Sequence, residues 1–571
     1  MQEKITPEEL ISIYKAGDLP EKMADRFGYM QDEQIAEIQK YLSDLHNTNK
    51  IDLLLLAMPD GIPHLQGTGF FLASQFFSKI LLELDETPVR MMECIEALVL
   101  RGGNDGAANE PNATLREWCE RDEERSNFII SSAHGEDELS IRHLTFALEA
   151  KKDTDEARRF VLNYTDARCL GGITALGRIK AGCNSYKEML STFDKVVELK
   201  SDDDLHGSML NALDVIIADS SCQLHKEICL LMDKLLGDAG DFTLHQAARM
   251  LWSNGKQISE DMIDLLLESL ININPENKGT INELDRGLKT LLELKHEEKV
   301  INFVTDLFTL NEDKISFSEL DGVAREIVSG SSERLSLVVV KWLLLGSPAL
   351  CEGLNNALNS DEIEGPILDI EKKHIPMSSE EQQYLCRKAI GWFFFKPRTA
   401  ASILVSVLRI CVKKNSENIQ ELLNKHLLIN YASVTEYLKS ISTNDSAKKR
   451  IDNILLKYKQ YLNGLKKVPY IAELAPSENH RYIQHIRQQE QMQKVTKEAR
   501  DKSVFLSLVK HSVMLYGEQS QSFIKTGDGN FQSMEIDLKA HSVSYELPRL
   551  DTVDPIGLDY TLRIFRAEKM E

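Results

Sequence analysis

Helix punctuation that returns every 18–21 residues constrains this chain more than any other feature of its sequence. Residues able to cap a helix N-terminus stand at Ser185, Asp203, Ser221, Asp241, Ser259 and Thr280, and again at Ser316 and Ser331. The first gaps are 18, 18, 20, 18 and 21 residues, and the next, 36, is two such steps. One helix per step gives one helical pair per ~36–40 residues, the period of paired-helix solenoids. A pair cannot bury its apolar face alone, so neighbouring pairs stack into a continuous core. A compact helical bundle would carry the same caps, and spacing alone leaves that alternative open.

One segment sharpens the reading. Asp166–Ile179 is rich in small residues, and its run Ala175-Leu176-Gly177-Arg178-Ile179 resembles the second helix of a HEAT-type repeat. Small residues there let neighbouring helices approach closely. The resemblance covers one repeat by its residues and about 200 residues by spacing. It implies a HEAT/ARM-like architecture used mainly for binding, and it names no activity.

Helix signals also open the chain. Thr6-Pro7-Glu8-Glu9 offers a capping hydroxyl, a proline at the first helical position and a glutamate three residues after the cap. Leu10, Ile13 and Tyr14 follow at helical spacing, and Gly17 ends the element. Asp32 and Thr87-Pro88 open two more helices, the latter stopping at Gly102-Gly103. The polar, Gly/Asn-rich stretch 103–113 marks a boundary, so residues 1–102 are expected as an N-terminal helical domain and 114–465 as the repeat region. Beyond Val468-Pro469 and Ala475-Pro476, Ser477 caps a long basic helix, its body at 477–516, polar on every side through its middle. After Gly517 the period becomes 2: Ser522–Thr526, the turn Gly527-Asp528-Gly529-Asn530 and Phe531–Leu538 read as a hairpin, with Val543, Tyr545 and Leu547 alternating beyond it. Asp554-Pro555 caps a last helix carrying Leu558, Leu562 and Phe565. Residues 520–571 are therefore expected as a small β-hairpin-plus-helix module, too small to hold a core alone. The expected fold class is mostly α: a solenoid or multi-helix repeat array with this module at its C-terminal end.

Composition narrows the function. Apolar residues make up 42% of the chain, enough for a real core, and the formal charge is −22. A strongly acidic surface repels duplex nucleic acid and anionic membrane. The apolar stretches Leu335–Leu345 and Ala389–Val412 hold Lys341 in one case and Lys396-Pro397-Arg398 in the other, and read as buried helices. Nine scattered cysteines without a CxxC pair, and an N-terminus unlike a signal peptide, read as reduced thiols in a cytoplasm.

No GxxxxGK[ST], GxGxxG, GxSxG or HExxH signature occurs, and no cofactor is expected. Cys222, His225 and Cys229 share one helix face with sound zinc-ligand chemistry, against the plainer reading of a buried stripe. His134 and His143 flank Glu136-Asp137-Glu138, and Asp202-Asp203-Asp204 precede His206. Both patterns fit ion binding, and both fit acidic helix starts. Asp528, Asp537 and Lys539 mimic the D…(D/E)xK spacing of a metal-dependent nuclease, but Glu535, Asp537 and Lys539 are also the outer face of an alternating strand.

The largest asymmetry is electrostatic. Ser446 to Leu515 holds 14 Lys and Arg against 6 Asp and Glu, net +8, so the remainder carries −30. Tyr458, Tyr461, Tyr470 and Tyr482 are interspersed. A nucleic-acid arm, a dock for an acidic protein and a solvated helix all fit this pattern. The expected function is a non-enzymatic protein–protein interaction scaffold, with Arg481, Arg487, Lys494, Lys497 and Arg500 as contact residues and a protein partner. The alternatives are a metal-dependent nuclease or hydrolase at Asp528, Asp537 and Lys539, and a nucleic-acid-binding accessory subunit using residues 446–515. Membrane binding is not expected.

Overall fold

The computed structural model of the protein describes residues 5–25, 32–103, 109–199, 202–219, 224–311, 314–358, 364–442, 446–469, 477–502, 519–525, 531–537 and 549–570. Contacts divide the chain into unit 1, Met1–Val338 with Ala349–Ala357, and unit 2, Val339–Pro348 with Leu358–Glu571.

Unit 1 begins with α1 (Pro7–Ala16), α2 (Leu19–Asp25), α3 (Asp32–Asn47), α4 (Thr68–Leu81) and α5 (Pro88–Gly102). α6 (Asn109–Glu120) starts inside the stretch 103–113 expected as a boundary, and α7 (Glu123–His134), α8 (Glu138–Lys151), α9 (Thr154–Asn163) and α10 (Ala167–Arg178) follow. Then follow α11 (Cys183–Leu199), α12 (Asp203–Ala218), α13 (His225–Leu236), α14 (Asp241–Ser253), α15 (Glu260–Leu270), α16 (Lys278–Glu293), α17 (Glu297–Leu310) and α18 (Asp321–Ser329). The division into units falls within α19 (Ser332–Leu345) and at the start of α20 (Pro348–Ala357).

Local chemistry sets these boundaries. Thr6 and Glu9 close the expected capping box, and Gly17 ends α1 in the left-handed region at φ +81°. Asp122, Asp137, Asp153, Asp166 and Asp202 each accept a backbone N–H in the first turn of the helix they precede, as does Ser259 before α15. Each satisfies one of the donors a helix start leaves open. The expected cap at Asp203 thus falls one residue earlier. Likewise Gly240 stands at the position expected for Asp241, and Asn277, not Thr280, caps α16.

The even-numbered helices form one layer. Each of α2, α4, α6, α8, α10, α12, α14 and α16 packs on the next even-numbered helix, ending at α18. The odd-numbered α9, α11, α13 and α15 pack on one another in the same manner as a second layer. This alternation is that of an all-α repeat array, in which each helical pair buries its apolar face on its neighbours. The close approach expected of the Ala175–Ile179 run is present: a Cβ on Gly177 would stand 2.8 Å from the Ala212 Cβ of α12.

Polar rungs repeat along the first layer. The Asp203 carboxylate of α12 accepts from Gly240, Phe242 and Thr243 backbone N–H groups at 3.0, 2.8 and 3.1 Å, capping α14 from outside. Asp285 of α16 does the same for α18, accepting from Gly322 and Val323 at 2.8 and 2.9 Å. Burial works to raise the pKa of both. At Asp203 the hydrogen bonds from Thr243, Phe242 and Gly240 prevail and hold it below the ordinary value, whereas at Asp285 burial prevails and raises it.

Unit 2 contains α21 (Ser379–Phe393), α22 (Pro397–Ile410), α23 (Lys413–Leu422) with a π-helical turn Leu423–Leu428, α24 (Ala432–Ser442), α25 (Lys448–Leu465) and α26 (Glu478–Lys502). β1 (Gln519–Lys525) and β2 (Phe531–Asp537) pair antiparallel, Gln519 opposite Asp537 and Lys525 opposite Phe531. A single turn Leu550–Val553 leads into α27 (Pro555–Ala567). The core centres on α22, buried from Thr399 to Leu408, with α21 beside it. Among the described residues no helix is long and apolar enough to cross a membrane.

The expected C-terminal hairpin-plus-helix module is not supported. Its capping signal holds, since Asp554 accepts from Gly557 N–H at 2.9 Å and Leu558, Leu562 and Phe565 are buried. That buried face serves a different neighbour: α27 packs on α21. The Arg387 guanidinium grips Glu568 at 2.8 and 2.6 Å, the buried Lys388 ammonium donates to the Arg566 carbonyl at 2.5 Å, and Arg566 Nε donates to the Gly391 carbonyl at 2.6 Å. Cations at the C-terminal end of a helix are favourable. The last helix belongs to the helical core of unit 2. The expected alternation at Val543–Leu547 lies outside the described residues.

Candidate interaction surfaces

The basic region separates into two parts. In α25, Ile451, Ile454 and Tyr458 are buried, while Lys448, Lys449, Lys459, Lys466 and Lys467 are exposed on or just beyond the helix. At 100° per residue Lys448, Lys459 and Lys466 fall within about 20° of one another, and the row is about 27 Å long. Arg450 does not join it. Its guanidinium turns inward, donating to the Leu408 carbonyl and, at 3.0 Å, to the Cys411 carbonyl. Tyr458 is likewise core and offers no stacking face.

α26 is exposed on all sides. From Glu478 to Val495 every side chain is exposed except the half-buried Ile486, and Tyr482, Ile483, Met492 and Val495 are solvent-facing apolar groups. Ser477 caps it, accepting from His480 N–H at 3.2 Å. Arg481, Arg487, Lys494 and Lys497 are exposed and have no ion-pair partner among the described residues. Arg500 lies in the same helix, and its side chain is outside the described residues.

Two helices of unit 1, α15 and α17, are acidic. α15 holds Glu260, Asp261, Asp264 and Glu268 and no Lys or Arg. Lys299 of α17 pairs with Glu260 at 2.8 Å and Asp264 at 2.5 Å, leaving Asp261 and Glu268 exposed, together with Glu298 and Asp306 on α17. A cleft of about 470 Å³ lies elsewhere in unit 1, with Phe308, Ile315 and Phe317 on its apolar side and Lys314, Glu319 and Glu352 on its polar side.

The ligand-like clusters resolve as follows. His225 is exposed at the start of α13, and Cys229 lies 3.9 Å from Ser259 Oγ with its thiol pKa raised by burial. Cys222 lies outside the described residues. Cys183 is disulfide-bonded, which corrects the expectation of reduced thiols throughout; no other described cysteine is in a disulfide. Asp202 and Asp203 are committed to helix starts, and His206 is buried. His134 and His143 part company. His143 is buried and its pKa is pushed down by burial to about 4. His134 stacks on Phe160 and hydrogen-bonds Tyr164 and Glu156, each at 2.8 Å, joining the end of α7 to α9. Nothing in the sequence connected Tyr164 or Glu156 with His134. Of the nuclease-like set, Asp537 ends β2, while Asp528 and Lys539 lie outside the described residues.

The fold of unit 1 defines a helical repeat protein. No family model matches the chain, and no curated protein matches it significantly in sequence. Among solved structures, a circular tandem repeat protein with a novel repeat topology and enhanced subunit contact surfaces aligns over 81% of this chain and 98% of its own. It is 14% identical, and at a TM-score of 0.19 the superposition carries no argument about fold or function.

Proposed function

We propose that this chain is a non-enzymatic interaction scaffold that holds a protein partner on its helical repeats, with the exposed helix α26 as a second contact. The observation behind this reading is the unbroken succession of even-numbered helices from α2 to α18. Stacked pairs leave a surface to which every repeat contributes one helix, an architecture that offers extended binding faces. A standard specific interface buries ~1,200–2,000 Å² in total, and a few adjacent repeats supply that. On α26, Arg481, Arg487, Lys494 and Lys497 sit among exposed Tyr482, Ile483, Met492 and Val495, a mixture of cation and apolar surface suited to a protein face.

The test is affinity purification of the tagged full chain from its native host, with and without nuclease, at low and high salt. The expected result is a stoichiometric protein partner that survives nuclease and is lost when Arg481, Arg487, Lys494, Lys497 and Arg500 are all replaced by alanine. Retention of every interaction by that variant removes α26 from the reading. Recovery of the chain without any partner removes the scaffold reading itself.

A further inference from the structure

The two units carry opposite charge. Unit 1 holds 35 Lys and Arg against 62 Asp and Glu, net −27, and unit 2 holds 32 against 27, net +5. Within that contrast lie two exposed helix faces of opposite sign. On α25 the exposed lysines have no ion-pair partner among the described residues, and the side of the helix about 90° from the Lys448, Lys459 and Lys466 row is fixed in the core by Ile451, Ile454 and Tyr458. On α15 the exposed Asp261 and Glu268 are not compensated, because the nearby Lys299 is engaged by Glu260 and Asp264. The spacings agree. Lys459 and Lys466 are seven residues apart, as are Asp261 and Glu268, so each pair spans two turns, about 10.5 Å, along one side of its helix.

We propose that copies of this chain associate head to tail, with the α25 lysine face of one copy seated on the α15–α17 acidic face of a second. The contact is heterologous: it uses two different surfaces, so a bound pair still presents one free face of each kind and association continues past the dimer unless it closes into a ring. Lysine suits such a contact, since an ammonium is a compact point charge that accepts varied carboxylate geometry. Both copies are acidic as wholes, so long-range repulsion opposes approach and the attraction is confined to facing charges a few ångströms apart. The inference does not depend on the scaffold reading, which concerns a different partner.

Sedimentation of the purified full chain tests it. In about 0.1 M salt, where screening acts over ~10 Å, the mean mass should rise with concentration above that of one copy. In about 1 M salt, where it acts over ~3 Å, the protein should sediment as one copy. The charge reversals Lys459→Glu with Lys466→Glu, or Asp261→Lys with Glu268→Lys, should each weaken association at least about tenfold. These side chains are exposed, and unchanged circular dichroism would verify folding. All four reversals in one chain restore opposite signs across the contact and should restore association. A wild-type chain that stays a single copy in 0.1 M salt overturns the proposal, as does association unaffected by 1 M salt or four-fold reversal that fails to rescue. A single-copy chain that instead binds a short DNA duplex through the α25 lysines also overturns it, and assigns that face to nucleic acid.

Discussion

Unit 1 and unit 2 are both helical, yet their chains close in different ways. In unit 1 the linking side chains join residues one repeat apart: Asp203 reaches Gly240 and Thr243, Asp285 reaches Gly322, and Ser253 and Asn254 reach Asp214. In unit 2 the closing contacts join α21 to the last residues of the chain, between 175 and 184 positions away. An array of nearest-neighbour contacts loses stability locally when one rung is cut. A core closed by its own C-terminus loses it in one step. Two further contacts tie helices of unit 2 to that core: Arg450 donates to the carbonyls of Leu408 and Cys411, and Leu550 N–H donates to Asn430 Oδ1 at 2.6 Å.

The strongest challenge to this comparison is removal of residues 549–571. Leu558, Leu562 and Phe565 would be lost and the buried Lys388 left without the Arg566 carbonyl, a cost above about 5 kcal/mol. Hydrogen exchange should show α21, α22 and α24 losing protection while α4 to α18 keep theirs. Protection lost equally in both units would show that the array depends on the C-terminus after all.

Acid should weaken both units. His143 in unit 1 and His426 in unit 2 are buried, and burial pushes each pKa from 6.5 down to about 4. A base with a depressed folded pKa contributes stability that is complete above pH 6.5 and falls away as pH drops to 4, about 3 kcal/mol for each group. His426 stands edge-on to Phe565 of α27, 5.3 Å between ring centres, so in unit 2 the loss should appear first as release of α27. Phenylalanine at either histidine should flatten that unit's pH dependence in denaturant unfolding. An unchanged slope would show that other groups carry it.

A smaller and more local effect is expected from Gly177→Ala. The added methyl would press on Ala212, a clash worth about 1–3 kcal/mol. Exchange should quicken in α10 and α12 and stay unchanged in α16. The finest comparison is between two equivalent rungs. Asp203→Asn should cost about 1 kcal/mol at neutral pH, because the carboxylate it removes is held below its ordinary pKa. That difference from wild type should vanish as pH falls through the folded pKa of Asp203. Asp285→Asn should cost less, since burial already works against the charge there. Equal losses in urea unfolding at pH 7 would refute the distinction.

Much of the architecture was legible because helix caps and small-residue packing act over short stretches of chain. Thr6 with Glu9, Gly17, Ser259 and Asp554 sit where their chemistry requires, and Gly177 meets its neighbour closely as its smallness suggested. The caps at Asp202 and Asn277 were misplaced by one and three residues because several polar side chains compete at each helix start, and only backbone geometry selects among them. The sequence also showed the charge asymmetry and the largely polar middle of α26. It did not show that Arg450 and Tyr458 leave the basic face for the core, because a helix pattern tells which residues share a side and not what that side meets.

By itself, then, the sequence determined the helices, their cadence and their amphipathic faces, since caps, turns and 3.6-residue periodicity depend on neighbours within a few positions. Tertiary structure alone decided the partners of those faces. Leu558, Leu562 and Phe565 form an apolar stripe in any context, but α21, with Arg387 and Lys388, takes the stripe to the helical core of unit 2. Asp203 reads as an ordinary acidic helix start until the next repeat brings three backbone N–H groups to its carboxylate. The burial and directed hydrogen bonds that settle both cases come from segments distant in the chain, which local pattern does not encode.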